Sequence, residues 1–220
     1  MGILLIDKKQ GSTSFRLVSL LRKRTGIKKI GHAGTLDPFA TGVMVMLVGR
    51  DSTKQSNSLL NSDKQYLTTL HLGITTDSYD IDGKIVDTNP LIPTLEQIQS
   101  TLAHFQGEIM QTPPMFSAKK IQGQKLYDLA RKGITVPRQP VPVRITVEFV
   151  SYTYPKLELF VDCSKGTYIR TLGHDIGQML GCGAHLSTLT RTRSGNFKIS
   201  ECISEENILD PHFDLKEHYV

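Results

Sequence analysis

A single carboxylate, Asp37, sits in KIGHAGTLDPFATGV, residues 29–43, in a bed of Gly, Ala, Thr and Pro. No Ser, Cys or cluster of metal ligands stands beside it, so a serine or thiol nucleophile and a metal centre are poor readings of this stretch. Any chemistry here belongs to the carboxylate itself. Asp before Pro is also ordinary turn chemistry. Against that, Gly31, Gly34 and Gly42 let backbone approach a ligand closely, and His32 adds a flat polar ring to the same loop. A second concentration lies in VDCSKGTYIRTLGHDIG, residues 161–177, where Lys165, Tyr168 and Arg170 crowd a strand-to-helix junction. On a helix Tyr168 and Thr171 share a face while Arg170 points elsewhere, so a packed tyrosine and a solvated arginine are one outcome. Taken with LSTLTRTRSGNF further on, a basic and aromatic lining for nucleic acid is the other.

Other chemistries fall away. SYDIDG, residues 78–83, resembles part of a calcium loop, but Ser78 and Asn89 stand where the first ligand and the bidentate Glu belong, so a tight polar turn is expected. No phosphate-binding loop, dinucleotide fingerprint, H-E-x-x-H or G-x-S-x-G is present. The seven histidines are scattered singly and promise no metal site.

These residues need elements to hold them. GILLID reads as a buried strand. TSFRLVSLLRKRTG reads as a helix with an apolar stripe including Phe15, Val18 and Leu21 and with Gly26 as its stop. The Asp37 stretch is then a loop feeding a buried strand, Val43 to Val48, and residues 49–63 a polar helix. KQYLTTLHLGI reads as a strand with Tyr66 near its start. PTLEQIQSTLAHFQG carries a capping box, Thr94 with Gln97, and is a helix. Residues 110–138 have the Pro-rich, basic composition of a projecting loop with a short helix. Strands at 143–153 and 156–163 form an antiparallel pair, and a helix runs from about Thr167 to Leu180. The mixture lacks a regular βαβ rhythm, which favours α+β.

The bulk properties fit a soluble enzyme-sized globule: 220 residues, 39% hydrophobic, 21% charged. The net charge of +5 is mild, but Arg22, Lys23, Arg24, Lys28 and Lys29 gather just before the Asp37 loop. They mark either a solvated helix end or a phosphate contact. Three widely spaced cysteines suggest buried thiols in a reducing compartment. No leader or membrane-length apolar run is seen, and the expectation is a cytoplasmic protein.

At these residues the chain closely resembles the TruB family of tRNA pseudouridine synthases. GILLIDKKQGSTS is similar to the family's amino-terminal motif and KIGHAGTLDPFATGVM to its catalytic motif. KQYLTTLHLGITTDSYDIDG, QTPPMFSAKKIQGQKLYDLAR and CSKGTYIRTLGHDIGQMLGCGAHLSTLTR resemble its later blocks in the same order. The resemblance implies a pseudouridine synthase fold with a mixed, largely antiparallel sheet. Only about twenty residues follow RSGNF, so the expectation is a single catalytic domain over 1–220 without the C-terminal PUA-type domain that many relatives carry, and a monomer. The resemblance makes Asp37 the catalytic aspartate, Tyr66 the active-site tyrosine and Arg170 the arginine paired with that aspartate. It puts His32 where the substrate base leaves the RNA stack, and gives Tyr168 and Leu189 to the walls of the uridine pocket. The implied reaction converts uridine 55 in the TΨC loop of tRNA to pseudouridine with no cofactor, metal or membrane partner. Lys9 and Phe116 depart from the Pro and Tyr usual at those places. The alternative expectation is an RNA-binding or tRNA-folding module whose catalysis is lost or incidental.

Overall fold

The structure is a computed structural model that describes residues 2–121 and 123–220, with only the backbone of Asn57 considered. Contacts divide the chain into two compact units, residues 1–67 with 189–220, and the insert 68–188.

The first unit begins with β1 (Ile3–Lys8), α1 (Ser14–Thr25), β2 (Ile30–His32) and β3 (Thr41–Val48). Two short helices, α2 (Arg50–Lys54) and α3 (Ser56–Leu60), replace the one polar helix expected, and β4 (Lys64–Leu72) runs on into the second unit. That unit holds β5 (Ile74–Thr76), β6 (Ile85–Thr88), α4 (Leu95–Ala103), β7 (Gly107–Gln111), β8 (Lys120–Ile121), β9 (Gln124–Lys125) and α5 (Leu126–Ala130). It continues with β10 (Val141–Thr153), β11 (Lys156–Cys163) and α6 (Ile169–Met179). The chain returns through β12 (Ala184–Ser194) to β13 (Phe197–Lys198), β14 (Ile203–Ser204) and α7 (Glu205–Leu209). The insert leaves and re-enters at neighbouring residues, because the Thr68 hydroxyl donates to Thr188 O at 2.7 Å.

In the first unit the strand order is β14, β1, β3, β12, with β2 on β3 and β13 on β12. The β1/β3 pair is antiparallel, Ile3 opposite Leu47 through Lys8 opposite Gly42, whereas β12 meets β3 parallel at Thr190 with Thr41 and Arg191 with Gly42. Unbroken apolar runs explain β1 and β3, since a strand covered on both faces has no polar side to alternate with. Ile3, Leu5, Ala33, Val43, Val45 and Leu47 form one core cluster. Thr13 caps α1 by accepting from Arg16 N, and Gly26 stops it at φ 71°. Its inward face is Ser14, Leu17, Val18 and Leu21. Phe15 departs from the expected stripe and is 66% exposed, because 14, 17, 18 and 21 follow the 3.6-residue period and 15 lies about 100° off that line.

In the second unit β11 and β10 pair antiparallel with a bulge between Phe149 and Ser151, and β7 adds to β10. Helix α4 packs against β10 and α6, with its Thr94–Gln97 box formed in both directions. The mixture is α+β with a mostly antiparallel sheet, as the sequence suggests.

Candidate active site

Asp37 is half-buried on the loop joining β2 to β3, and the peptides on either side of it are fixed from three directions. Ser14, in the first turn of α1, uses one hydroxyl for both polar groups of Leu36: its Oγ accepts from Leu36 N at 3.1 Å and donates to Leu36 O at 3.2 Å. On the other side Pro38 O accepts from Gly11 N at 2.8 Å and from Lys8 Nζ at 3.2 Å. Asp37 O closes the turn by accepting from Ala40 N at 3.1 Å. A carboxylate between two pinned peptides keeps its position without needing a regular element.

Lys8 is wholly buried and spends its ammonium on three carbonyls, Lys9 O, Ser12 O and Pro38 O. Burial pushes it down to about 8; Glu205 and Asp37 oppose the shift, and Arg191 adds to it. His32 ends β2, half-buried, with Nδ1 enclosed and without a hydrogen-bond partner. Burial first and the Arg191 charge second hold it below the usual imidazole range, so the ring is neutral at neutral pH. Tyr66, third in β4, is 9% exposed and shares a face with Lys64, Thr68, Leu70 and Leu72, which β alternation dictates. Leu189 on β12 is buried. These four, Asp37, His32, Tyr66 and Leu189, belong to the first unit, and Arg170 and Tyr168 to the second.

Arg170 stands second in α6 and is 6% exposed, so the solvated arginine allowed by spacing alone is not what forms. Its Nη1 donates to Ser78 O at 3.1 Å and lies 3.3 Å from Asp80 Oδ2, while Nη2 donates to Phe116 O at 2.7 Å. Asp80 is itself tied down, its Oδ1 accepting from Ser78 Oγ at 2.6 Å and from Asp82 N at 3.1 Å. Gly83 is required there, because a Cβ at that position would overlap the Ser78 hydroxyl. Tyr79 between them adopts φ 65° and stacks on His174, centroids 3.9 Å apart and planes 14° from parallel. A bulky residue with positive φ is rare enough to show that surrounding contacts dictate this turn. The same segments wall a half-open hollow of about 270 Å³, shared with Met115, Ile134 and Arg138.

Tyr168 caps the start of α6, and Gln111 pins it: Gln111 Oε1 accepts from Tyr168 N at 2.8 Å and Nε2 donates to Tyr168 O at 3.1 Å. Sequence reasoning gave no role to Gln111, although it opens the QTPPMFSAKK block, and undervalued Asp80. The signal for Asp80 was present in the acidic SYDIDG turn, which is a turn as expected but one whose carboxylate faces inward to a guanidinium. Among the described residues no group of three or more His, Cys, Asp or Glu is arranged to hold a metal ion.

Residues 22–169 match the TruB family pseudouridylate synthase N-terminal domain, and residues 170–219 the tRNA pseudouridylate synthase B C-terminal domain. A tRNA pseudouridine synthase B of Protochlamydia amoebophila is 60% identical over 207 residues, covering 94% of this chain and 79% of its own. One from Chlamydia pneumoniae is 57% identical over 218 residues, covering 99% and 92%. Among solved structures, a chain of a Cbf5-Nop10-Gar1 complex superposes with a TM-score of 0.76 at 30% identity. The match takes in 98% of this chain but only 56% of that one. With both matched segments joining end to end at Arg170 and relatives similar across almost the whole length, the chain belongs to the TruB family of pseudouridylate synthases.

Proposed function

We propose that this chain converts the uridine at position 55, in the TΨC loop of tRNA, to pseudouridine, with Asp37 as the reacting carboxylate. Uridine-to-pseudouridine isomerisation in tRNA follows from the family and its near full-length relatives. The choice of loop and the residue roles are our reading. The observation that carries it is the anchoring of Leu36 and Pro38, which puts a carboxylate on a rigid mount.

Glycoside hydrolysis takes two carboxylates because water must be activated as well as the sugar attacked. Here no water is added. The C1′–N1 bond breaks, the uracil turns, a C1′–C5 bond forms, the C5 proton leaves and N1 takes up a proton, so one anion and an enclosure excluding water are sufficient. Asp37 can serve by attack on C1′, by removal of the C2′ proton or by addition at C6 of the base, and each of the three requires it ionised. Arg170 is the arginine we assign to Asp37, and Asp80 together with Ser78 O and Phe116 O orients its guanidinium.

Extruding a uridine costs a few kcal/mol of unstacking. Stacking on an aromatic ring returns about 1–3 kcal/mol per base, the role we give Tyr66. His32 fills the vacated place, which suits a flat ring that burial keeps uncharged. Tyr168 and Leu189 shape the uridine pocket. The protein acts without a cofactor, as a monomer in the cytoplasm. No helix among the described residues is long and apolar enough to cross a membrane.

Wild type and Asp37→Asn, assayed on a tRNA transcript for both binding and pseudouridine content, test the proposal. Binding retained with product abolished supports it. Equal product from both proteins removes Asp37 from the chemistry, and no product from either points to an RNA-binding module instead.

A further inference from the structure

We propose that Arg191 is a positioning residue for Asp37: from β12 its guanidinium ties together the two limbs of the loop that carries the carboxylate. The inference rests on Asp37 being the reacting group. Arg191 is 2% exposed, among the largest side chains enclosed in the molecule. Its Nε donates to Val43 O at 2.8 Å and its Nη2 to Gly34 O at 3.2 Å, with Met44 Sδ also 3.2 Å from Nη2. Gly34 lies three residues before Asp37 and Val43 six after, so one planar group spans the entry and the exit of the loop. The backbone of the same residue presses on the exit limb. Arg191 pairs in parallel register with Gly42, whose missing Cβ would overlap Arg191 O, and the Thr190 and Thr41 hydroxyls meet at 2.8 Å.

What makes this more than packing is the charge. Arg191 is permanently cationic, and no carboxylate ion-pairs with it among the described residues; its partners are two carbonyls and a thioether. Desolvating a cation without a counter-charge is costly, and an apolar side chain of similar volume would hold β12 to β3 at least as well. A guanidinium is the group that reaches two carbonyls at once in fixed geometry. Its field acts on the loop as well, since it is the charge that, after burial, keeps His32 neutral, and it also weighs on Lys8, whose ammonium holds Pro38 O. Arg191 and Lys8 thus fix different peptides of one loop, Gly34 and Val43 by the first and Pro38 by the second.

Displacing a reacting group by about 1 Å costs on the order of 100-fold in rate. Arg191→Met is therefore expected to remain folded, with a melting temperature close to wild type, to bind the tRNA transcript with little change in KM, and to lose about 100-fold in kcat. In the same variant the His32 imidazole, followed by NMR, should titrate at higher pH. Arg191→Lys keeps the charge but cannot bridge both carbonyls, so its kcat should fall while the His32 titration stays near wild type; it also serves if the Met variant does not fold. Asp37→Asn is measured alongside. An active Asp37→Asn would defeat the reading of Asp37. An inactive Asp37→Asn with wild-type kcat in folded Arg191→Met or Arg191→Lys, or a loss confined to KM, would overturn the positioning role of Arg191.

Discussion

Arg170 and Asp80 form a pair in which each side chain is no more than 7% exposed, and the energetics of such pairs are lopsided. Deleting one partner of a buried pair costs about 3–5 kcal/mol because the other charge is stranded, although the intact pair itself contributes little. Function is the better account of its presence. Arg170→Lys should therefore lower kcat more than it raises KM: an ammonium cannot satisfy Ser78 O, Phe116 O and the Asp80 carboxylate in one plane. Steady-state kinetics on a tRNA transcript would decide, and a pure KM effect would make Arg170 a phosphate anchor. Lys8 offers a test through protons. The unfolded chain releases its proton near the ordinary 10.5 and the folded chain at about 8, so between those values the unfolded state holds more protons and stability rises with pH. Relative to Lys8→Met, wild type should gain up to about 3 kcal/mol of unfolding free energy between pH 7.5 and 10.5, at 1.36 kcal/mol per unit. A difference that does not change with pH would show that the ammonium is not desolvated as its burial implies.

At the scale of the element, what matters is how loops without regular hydrogen bonding are held still. The Asp37 loop borrows anchors from β1, α1 and β12, and the Asp80 turn takes them from its own Ser78 and Asp82. Gly42 is the tightest point, with φ 97° and the Arg191 backbone where a side chain would begin. Gly42→Ala is expected to cost about 1–3 kcal/mol in backbone strain and more from the overlap, and to depress kcat beyond the loss of folded protein. Denaturant melts paired with kinetics would show it. This is also where the sequence was most and least readable. β1, β3, α1, α4, β10 and β11 could be read from apolar runs, caps and alternation, because those signals are local. Phe15 misled because its place on the helix is fixed by a one-residue phase. The inward turn of Asp80, the Gln111 clamp on Tyr168 and the buried Arg191 depend on partners 50 or more residues away, which no spacing rule can reveal.

For the molecule as a whole, the net charge of +5 is small, but α1 ends in Arg22, Lys23 and Arg24 and is followed by Lys28 and Lys29. Not all of these are available. Arg24 donates to Asp210 O, Pro211 O and Phe213 O and so staples the C-terminal segment, whereas Lys23, Lys28 and Lys29 are exposed. Affinity for tRNA should fall with rising salt, linearly on logarithmic axes, and Lys28→Ala with Lys29→Ala should make the slope shallower without changing kcat. A slope identical to wild type would leave these lysines as a solvated helix end. The Thr68–Thr188 hydrogen bond has a consequence of another kind. Because the insert departs and comes home through touching residues, loops within it that carry no site residue can change length while the two points where it is spliced into the rest of the chain stay where they are.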